Sequence, residues 1–431
     1  MPDNDTIFAL SSGAPPAAIA VVRISGPLAA DALIALAGKL PAPRRAVAVR
    51  LWDPDNGEVL DSALALWLPG PTTATGDDIA ELHLHGGRAV VAAVERSLAR
   101  LPGMRVAVAG EFTRRAFANG RIDLAEAEGL ADLLAAETEI QRKSAMAMAA
   151  GELSLAVSAW RISLLNLAAR VEATLDFDEE DGIAGIDEAF LADASMLAAE
   201  LDAWLARPQA ETLREGFRVV LAGPTNAGKS TLFNKLTESE AAITSPQPGT
   251  TRDIITRTVA LDGIPFLFVD TAGLRDSTSD AIEAEGMGRA RAAADEADLV
   301  LWLGEAPGDS YDPMRTWKIT AQIDRQGVVS DSDARHRVSS LTGEGIAALR
   351  GDLVQHGRNA MQRPGTAALN NRQRDLIGRV RDSAVRAAAL ADPLLIAEEL
   401  RSGRAALDRL VGKVATEDML DSLFGRFCVG K

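Results

Sequence analysis

A glycine-rich segment near the middle of the chain has the residue types that bind a nucleotide phosphate. Gly223-Pro-Thr-Asn-Ala-Gly-Lys-Ser230 fits the pattern Gly-x-x-x-x-Gly-Lys-Ser at every fixed position, between an apolar strand, Phe217–Ala222, and a helix, Thr231–Leu236. Glycines let backbone N–H groups face the phosphates, the helix N-terminus adds a favourable dipole, and the lysine reaches the β- and γ-phosphates. The segment therefore predicts a nucleoside triphosphate site in which the Ser230 hydroxyl binds Mg²⁺.

Three further motifs follow in the order and at the spacing of GTPases. Gly249-Thr-Thr-Arg-Asp253 is similar to the first switch, in which the second threonine, here Thr251, caps Mg²⁺. Asp270-Thr-Ala-Gly273 is similar to the element that holds Mg²⁺ through water and senses the γ-phosphate with a glycine N–H. Val338-Ser-Ser-Leu-Thr-Gly-Glu-Gly345 is similar to the loop that contacts guanine through its backbone. Together with the phosphate loop, these motifs predict a GTPase.

The motif that reads the base departs from the usual Asn-Lys-x-Asp. It is Ala321-Gln322-Ile323-Asp324, so the aspartate that accepts hydrogen bonds from guanine is present, but the asparagine and lysine are not. We expect the purine to lose a side chain that braces its loop and a side-chain stem that stacks on it, so the affinity for the nucleotide should be weaker. Guanine preference should survive because a buried carboxylate facing adenine is poorly paired, and ATP or relaxed specificity is the alternative.

The predicted nucleotide ligands belong to these motifs or to the segment just before the first switch. They are Asn226, Ala227, Gly228, Lys229, Ser230, Thr231, Ser245, Gly249, Thr250, Thr251, Asp270, Thr271, Ala272, Gly273, Asp324 and Ser339.

Hydrolysis needs a group that orients the attacking water, and it needs positive charge near the leaving oxygen. Neither is obvious in the sequence. Leu274 stands where many GTPases have a water-orienting glutamine. Acidic residues of the second switch, among them Glu283 and Glu285, are candidates, although most such charges are solvated helix faces. The amide oxygen of Asn226 offers a monovalent cation a place in the arginine-finger position. Taken alone, an asparagine there is more often an ordinary loop residue.

The elements that position these motifs change along the chain. The first part mixes strands with a helix, at Ala18–Ile24 (strand), Ala30–Ala37 (helix), Leu60–Leu68 (strand) and Ile79–His85 (strand). Between Leu124 and Leu175 apolar residues recur at three and four, as in long amphipathic helices. From Gly216 strand, loop and helix alternate as in a parallel α/β unit, and after about Gln355 the helical pattern returns.

These changes predict a multidomain fold of α/β and all-α parts. The predicted parts are residues 1–118 (N-terminal α+β domain), 119–215 (helical domain, first part), 216–354 (GTPase domain, inserted) and 355–431 (helical domain, second part). Two separate helical domains are the alternative to the insertion.

Composition limits the class of protein. The chain of 431 residues has a net charge of −16, which argues against nonspecific coating of nucleic acid but permits a local basic site. One cysteine, Cys428, excludes an intramolecular disulfide. The acidic N-terminus is unlike a signal peptide, and the apolar runs are too short to span a bilayer, so a cytoplasmic protein is expected.

The chain resembles the MnmE (TrmE) family of tRNA-modification GTPases over essentially its whole length. Beside the GTPase motifs, the resemblance rests on segments at both ends: Asp5-Thr-Ile7, Val22-Arg-Ile-Ser-Gly26, Glu81-Leu-His-Leu-His-Gly-Gly87, Gly110-Glu-Phe-Thr-Arg-Arg-Ala-Phe117 and Phe427-Cys-Val-Gly-Lys431. It implies a Ras-like GTPase domain inserted in a helical domain, after an aminomethyltransferase-like folate domain that forms a homodimer.

The resemblance also implies ligands. A 5-formyltetrahydrofolate-type donor would be bound by Arg23, Glu81, Arg121 and Lys431. Mg²⁺ would be bound by Ser230 and Thr251, and K⁺ would be bound by Asn226, Ser245, Gln247 and Thr250. The catalytic glutamate maps to Glu283, with Glu285 as a rival because one extra residue follows Arg275. Cys428 matches the cysteine of the family's C-terminal Cys-x-Gly-Lys, and a packed terminal turn explains it equally well.

The activity implied is a K⁺-activated GTPase acting with an FAD-containing MnmG (GidA)-type partner. The pair would add a carboxymethylaminomethyl or aminomethyl group to C5 of the wobble uridine of tRNAs, using the folate one-carbon unit. An Era- or Der-like ribosome-assembly GTPase is the alternative, disfavoured by the acidic charge and the N-terminal motifs. A nucleotide-gated scaffold without a role in modification is a third.

Overall fold

The computed structural model divides the chain into two compact units. It describes residues 5–176, 186–224, 226–238, 255–271, 292–304, 312, 314–325, 333–361, 366–414 and 416–431. The first unit comprises Met1–Ala131, Leu153–Ile162 and Arg404–Lys431, and the second comprises Asp132–Glu152 and Ser163–Gly403. Among the described residues, no helix is long and apolar enough to cross a membrane.

The first unit contains a six-stranded sheet. Its strands are β1 (Thr6–Leu10), β2 (Ile19–Ser25), β3 (Val47–Trp52), β4 (Val59–Leu68), β5 (Ile79–His85) and β6 (Met104–Val106), in the order β3-β4-β5-β2-β1-β6. Neighbours are antiparallel except β1 and β6, which are parallel. The helices of the N-terminal part are α1 (Ala29–Ala37), α2 (Arg88–Ala99) and α3 (Glu111–Ala118). The predicted strands and helix are confirmed to within one residue.

One face of this sheet is covered by α1 and α2, whereas among the described residues the other is covered only around β1, where Ile7 and Ala9 are buried with Phe112 of α3. Ala20, Val22 and Ile24 of β2 are buried in a core shared with α1 and α2. The alternate residues point the other way because side chains alternate along a strand. Apolar side chains on β2, β3 and β4 are consequently exposed, among them Ile19 (58%) and Leu64 (44%). Antiparallel sheets commonly have one solvated face, but that face is usually polar.

Helices make up most of the rest of the chain. They are α4 (Leu124–Ala135), α5 (Glu139–Ala149), α6 (Glu152–Asp176), α7 (Glu188–Leu205), α8 (Ala210–Glu215), and, after the second sheet, α10 (Ile346–Ala360), α11 (Asn371–Ala389), α12 (Pro393–Leu410) and α13 (Glu417–Phe424). This confirms the helical pattern predicted from Leu124 onward. The loop predicted at Asp176–Asp187 falls largely on residues 177–185, which lie outside the described residues.

The second unit contains a six-stranded sheet flanked by helices. Its elements are β7 (Phe217–Ala222), α9 (Lys229–Thr237), β8 (Ile255–Leu261), β9 (Ile264–Asp270), β10 (Leu299–Leu303), β11 (Thr316–Thr320) and β12 (His336–Arg337). The strand order is β12-β11-β10-β7-β9-β8. All neighbours are parallel except β8, which pairs antiparallel with β9. The predicted parallel α/β unit is therefore confirmed, with one antiparallel edge strand, β8, which joins β9 through a two-residue turn, Asp262-Gly263, that has positive φ at both residues.

A short helix leads from the helical part into this sheet. α8 ends directly before β7, and residues of α5 and of the segment before α11 hold it in place. Gln141 Nε2 donates to the Leu213 carbonyl at 2.7 Å, and Ala210 N donates to the Leu369 carbonyl at 3.0 Å. The central strand that carries the phosphate loop is thus connected to the helical residues on both sides of it in sequence.

Candidate functional site

The phosphate loop follows the central strand β7 and depends on glycine. Gly223 has φ +134°, and a Cβ there would lie 2.1 Å from the Leu303 carbonyl oxygen of the neighbouring strand β10. Gly228 has φ +92° and is the N-cap of α9. Asn226 adopts the left-handed conformation at φ +60°. The backbone therefore turns sharply and brings the first N–H groups of α9 to the loop, as an anion site requires.

Lys229 and Ser230 begin the helix that follows the loop. The Lys229 side chain is buried, and its Nζ donates to the carbonyl oxygens of Gly223 (2.9 Å) and Pro224 (2.7 Å). The ammonium is thus held over the loop where phosphate charge is expected. Ser230 and Thr231 are exposed on the first turn of α9, so their hydroxyls are accessible to a metal ion and a phosphate.

Asp270 lies beside the phosphate loop at the end of β9. It is paired in register with Leu221 of β7 and is almost fully buried. Thr271 Oγ1 donates to the Leu221 carbonyl at 2.8 Å, which fixes the start of this motif. A carboxylate and the Ser230 hydroxyl are oxygen donors of the kind that Mg²⁺ prefers, so these residues fit a nucleotide-bound magnesium ion. Across the described part of the chain, no cluster of three or more His, Cys, Asp or Glu residues suits a metal ion.

The base-reading aspartate is held by the predicted guanine loop. Ser339, fully buried, donates from Oγ to Asp324 Oδ1 at 2.6 Å, and accepts a hydrogen bond from Thr342 N at 3.1 Å. One carboxylate oxygen of Asp324 is therefore occupied and oriented, which leaves Oδ2 to accept from a base. Val338 N donates to the Thr320 carbonyl at 2.8 Å and joins this loop to the end of β11.

The predicted loss of the bracing asparagine and of the stacking lysine stem stays a prediction, but Gln322 in the lysine position makes a contact of its own. Gln322 Nε2 donates to the Asn226 carbonyl at 3.2 Å, so the residue in the lysine position still contacts the phosphate loop. Ala321 packs partly buried against the core of this sheet, as does Ala227.

The other predicted nucleotide, cation and catalytic residues lie outside the described residues. They are Ser245, Gln247, Gly249, Thr250, Thr251, Ala272, Gly273, Glu283 and its rival Glu285.

In the first unit, Arg23 and Glu81 form an ion pair on the face of the sheet opposite α1 and α2. They are opposite each other on β2 and β5, and Arg23 Nε and Nη2 both lie 2.9 Å from Glu81 Oε1. Both side chains are largely but not fully buried. His83 Nε2 lies 3.4 Å from Glu81 Oε2, because residues two apart on a strand share a face. The guanidinium of this pair can donate hydrogen bonds to the carboxylate of a ligand.

The end of the chain lies beside this pair. Phe112 N donates to the Lys431 carbonyl at 3.2 Å, and the Arg23 guanidinium carbon lies 6.0 Å from the centre of the Phe112 ring. Ser11 Oγ donates to the Gly430 carbonyl at 2.8 Å. Of the four predicted folate residues, Arg23 and Glu81 are in direct contact, and the backbone of Lys431 is held next to Phe112, whose ring lies beside Arg23.

The two remaining predicted residues of the first unit, Arg121 and Cys428, are exposed. Arg121 is exposed, and its Nε donates to the Thr73 carbonyl at 3.2 Å in the loop before β5. Cys428 is a free, exposed thiol three residues before the end of the chain. Exposure leaves the thiol accessible.

A buried charge network near the N-terminus was not predicted. Arg105 Nε lies 2.6 Å from Asp5 Oδ2, Arg105 is also hydrogen-bonded to the buried Glu111, and Arg115 Nη2 lies 2.6 Å from Asp5 Oδ1. Burial raises the pKa of Asp5, but the hydrogen bonds and charges of both arginines outweigh it, and the pKa is lowered. The charged residues of Gly110–Phe117 were the sequence signal for this network, and only the fold shows their partners.

Two protein-family models match this chain, one at its N-terminal part and one over the rest. Residues 6–121 match the family model for the N-terminus of the GTP-binding protein TrmE, and residues 124–428 match the model for the MnmE helical domain. The predicted fold class is therefore confirmed, whereas the predicted domain boundaries stay a prediction.

Full-length relatives are highly similar. Proteins named tRNA modification GTPase MnmE from Novosphingobium aromaticivorans and Erythrobacter litoralis are 60% and 56% identical, and each alignment covers 99% of this chain and 100% of the relative. Among solved structures, the G domain of the T. maritima FeoB iron transporter is 23% identical over 32% of this chain and 97% of that chain, with a TM-score of 0.25. The family models and the full-length relatives show that the chain belongs to the MnmE (TrmE) family.

Proposed function

We propose that this chain hydrolyses GTP and that the hydrolysis serves the modification of tRNA. The observation that carries the proposal is one sheet with a phosphate loop at the end of β7, the buried Lys229 at the start of α9, and Asp324 oriented by Ser339. The full-length relatives support it, because their name combines a GTPase with tRNA modification. The test is hydrolysis of GTP and ATP by the purified chain in a potassium buffer with Mg²⁺. Equal rates for the two nucleotides would contradict the assignment of guanine specificity.

Potassium is the proposed activator of hydrolysis. Asn226 is exposed in the phosphate loop, and its side-chain oxygen is a neutral donor of the type that binds monovalent cations. We expect GTP turnover to be higher in KCl than in NaCl, and Asn226→Ala to abolish the difference. Asn359→Ala, which removes an exposed amide from α10, is the control. Equal turnover of the wild-type chain in the two salts would refute the potassium site.

Folate is the proposed one-carbon donor, bound in the first unit. A folate carries carboxylates on its glutamate tail, and the half-buried Arg23 beside Lys431 offers positive charge for them. Binding of 5-formyltetrahydrofolate to the intact chain should be measurable by calorimetry and weakened by Arg23→Ala. An intact chain that binds GTP and shows no heat with this folate would exclude the donor, and would leave the GTPase proposal standing.

A homodimer is proposed through the exposed face of the N-terminal sheet. Ile19, Trp52, Val59 and Leu64 are exposed there, and monomeric proteins rarely leave such a group of large apolar side chains in water. Leu64→Arg is expected to lower the mass measured by light scattering from dimer towards monomer. Leu155→Arg, at an exposed leucine of α6, is the control that should stay dimeric.

The substrate is proposed to be the wobble uridine of certain tRNAs, modified with an FAD-containing MnmG-type partner in the cytoplasm. The coverage of the MnmE relatives over their whole length supports this reading against an Era- or Der-like role in ribosome assembly. Nucleoside analysis of tRNA from a strain that lacks the gene should show unmodified wobble uridine, restored by the wild-type chain. An unchanged nucleoside profile would favour the alternatives.

A further inference from the structure

One contact crosses the nucleotide site between two segments that are 96 residues apart. Gln322, which follows β11, donates from Nε2 to the carbonyl oxygen of Asn226 in the phosphate loop at 3.2 Å. The sequence pattern gave Gln322 no role, because it replaces the lysine of the usual base-reading motif.

The Gln322 side chain lies directly over the floor of the phosphate loop. A Cβ placed on Gly228 would be 3.1 Å from Gln322 Nε2 and 3.3 Å from its Cγ. The absence of a side chain at Gly228 therefore makes the space in which Gln322 reaches Asn226.

Both ends of the contact have an uncommon backbone conformation. Gln322 has φ +58° and Asn226 has φ +60°, in the left-handed region that non-glycine residues seldom adopt. A hydrogen bond between two such positions ties the base-reading loop to the phosphate loop, and it stabilises the conformation of Asn226, whose amide the proposed function assigns to the cation.

We infer that Gln322 is a positioning residue that braces the phosphate loop for nucleotide binding, in place of the missing lysine. This inference rests on the proposed GTPase function. The residue acts through a neutral N–H donor and its hydrocarbon stem, so any side chain of similar length with a terminal N–H serves, and one without a donor does not.

Titration of the full-length chain with the fluorescent nucleotide mant-GDP tests the inference. Gln322→Glu keeps the shape but replaces the donor with a carboxylate facing a carbonyl oxygen, and we expect its Kd to rise about threefold to tenfold. Gln322→Ala should weaken binding by a similar factor. Gln322→Lys restores an N–H donor and should bind within about twofold of the wild type.

The matched control is Gln355→Glu on α10, where an exposed glutamine pairs with Asn359. It makes the same chemical change away from the loop and should leave the Kd unchanged. Thermal melting of each variant monitors folding, and Gln322→Glu carries the test if Gln322→Ala does not fold.

The outcomes separate the two proposals. Wild-type binding matched by Gln322→Glu and Gln322→Ala would overturn the brace and leave the nucleotide site intact. Failure of Gln322→Lys to restore binding would also overturn it. A wild-type chain that does not bind mant-GDP at all would refute the proposed GTPase function itself.

Discussion

The nucleotide site and the candidate folate site are built from different parts of the polypeptide. Consecutive residues make the phosphate loop, and its shape depends on glycine torsions and on the N-terminus of α9. The candidate folate site depends on side chains from β2 and β5, with the backbone of the last residue held nearby by Phe112. A site made of backbone is therefore broken by adding a carbon atom, whereas a site made of side chains is broken by removing a charge.

Gly223→Ala should have the largest effect, because it adds that carbon atom. The new Cβ would lie 2.1 Å from the Leu303 carbonyl, and backbone shift plus strain should cost about 3 kcal/mol and abolish mant-GDP binding. Gly263→Ala is the matched control, since φ is also positive there but no atom lies within 4 Å of a Cβ. It should cost about 1 kcal/mol and keep binding. Equal losses in the two variants, by melting and titration, would contradict the role of the Leu303 contact.

Glu81→Ala tests the site made of side chains. It removes the acid that orients Arg23, and we expect affinity for 5-formyltetrahydrofolate to fall about tenfold to 100-fold, as for a hydrogen bond to a charged group. Nucleotide affinity should not change. Arg50→Ala, which removes an exposed arginine beside Trp52 on the same sheet, should preserve folate affinity. If Arg50→Ala weakens folate binding as much as Glu81→Ala, the assigned position is wrong.

Ser339→Ala probes a part of the nucleotide site that depends on a hydrogen bond between two side chains. Without the hydroxyl, Asp324 loses its hydrogen bond and Thr342 N loses its acceptor. The ratio of kcat/KM for GTP to that for ATP should fall about tenfold. The neighbouring Ser340→Ala serves as control. An unchanged ratio would show that backbone alone sets the base preference.

The pH dependence of stability should differ between the two regions, with the smallest effect of the four. Burial lowers the pKa of His336 below 6.5, despite the partly opposing charge of Asp352. Between that lowered value and 6.5 the unfolded chain binds the proton more readily, so the stability of this sheet falls as the pH falls below 6.5. His336→Gln should flatten the dependence of the melting temperature on pH from 7.5 down to about 5.5.

In the first unit, the corresponding loss of stability occurs at acidic pH. The pKa of Asp5 is lowered from 3.8, so its contribution to stability is present above 3.8 and is lost as the pH falls through the lower folded-state value. For the second unit, the test is the slope of melting temperature against pH. If the His336→Gln variant keeps the wild-type slope, His336 is not the cause of the pH dependence.

Local patterns predicted most secondary structure but missed several strands, among them β8. In β8 three polar residues, Thr256 to Thr258, precede three apolar ones, although the Asp262-Gly263 hairpin signal behind it was available in the sequence. The contact of Gln322 with Asn226 could not be predicted for a different reason: it joins segments far apart in the chain, and a motif comparison tests only residue identity.

The phosphate loop could be predicted from local sequence, because glycines at fixed spacing between a strand and a helix dictate a backbone conformation locally. The sequence also determined membership of the family through motifs at both ends of the chain. The pairing of Arg23 with Glu81, the orientation of Asp324 by Ser339 and the contact of Gln322 with Asn226 became visible only in the folded chain. Those contacts depend on strand register and on loops brought together by the sheets, and neither is encoded in any one stretch of residues.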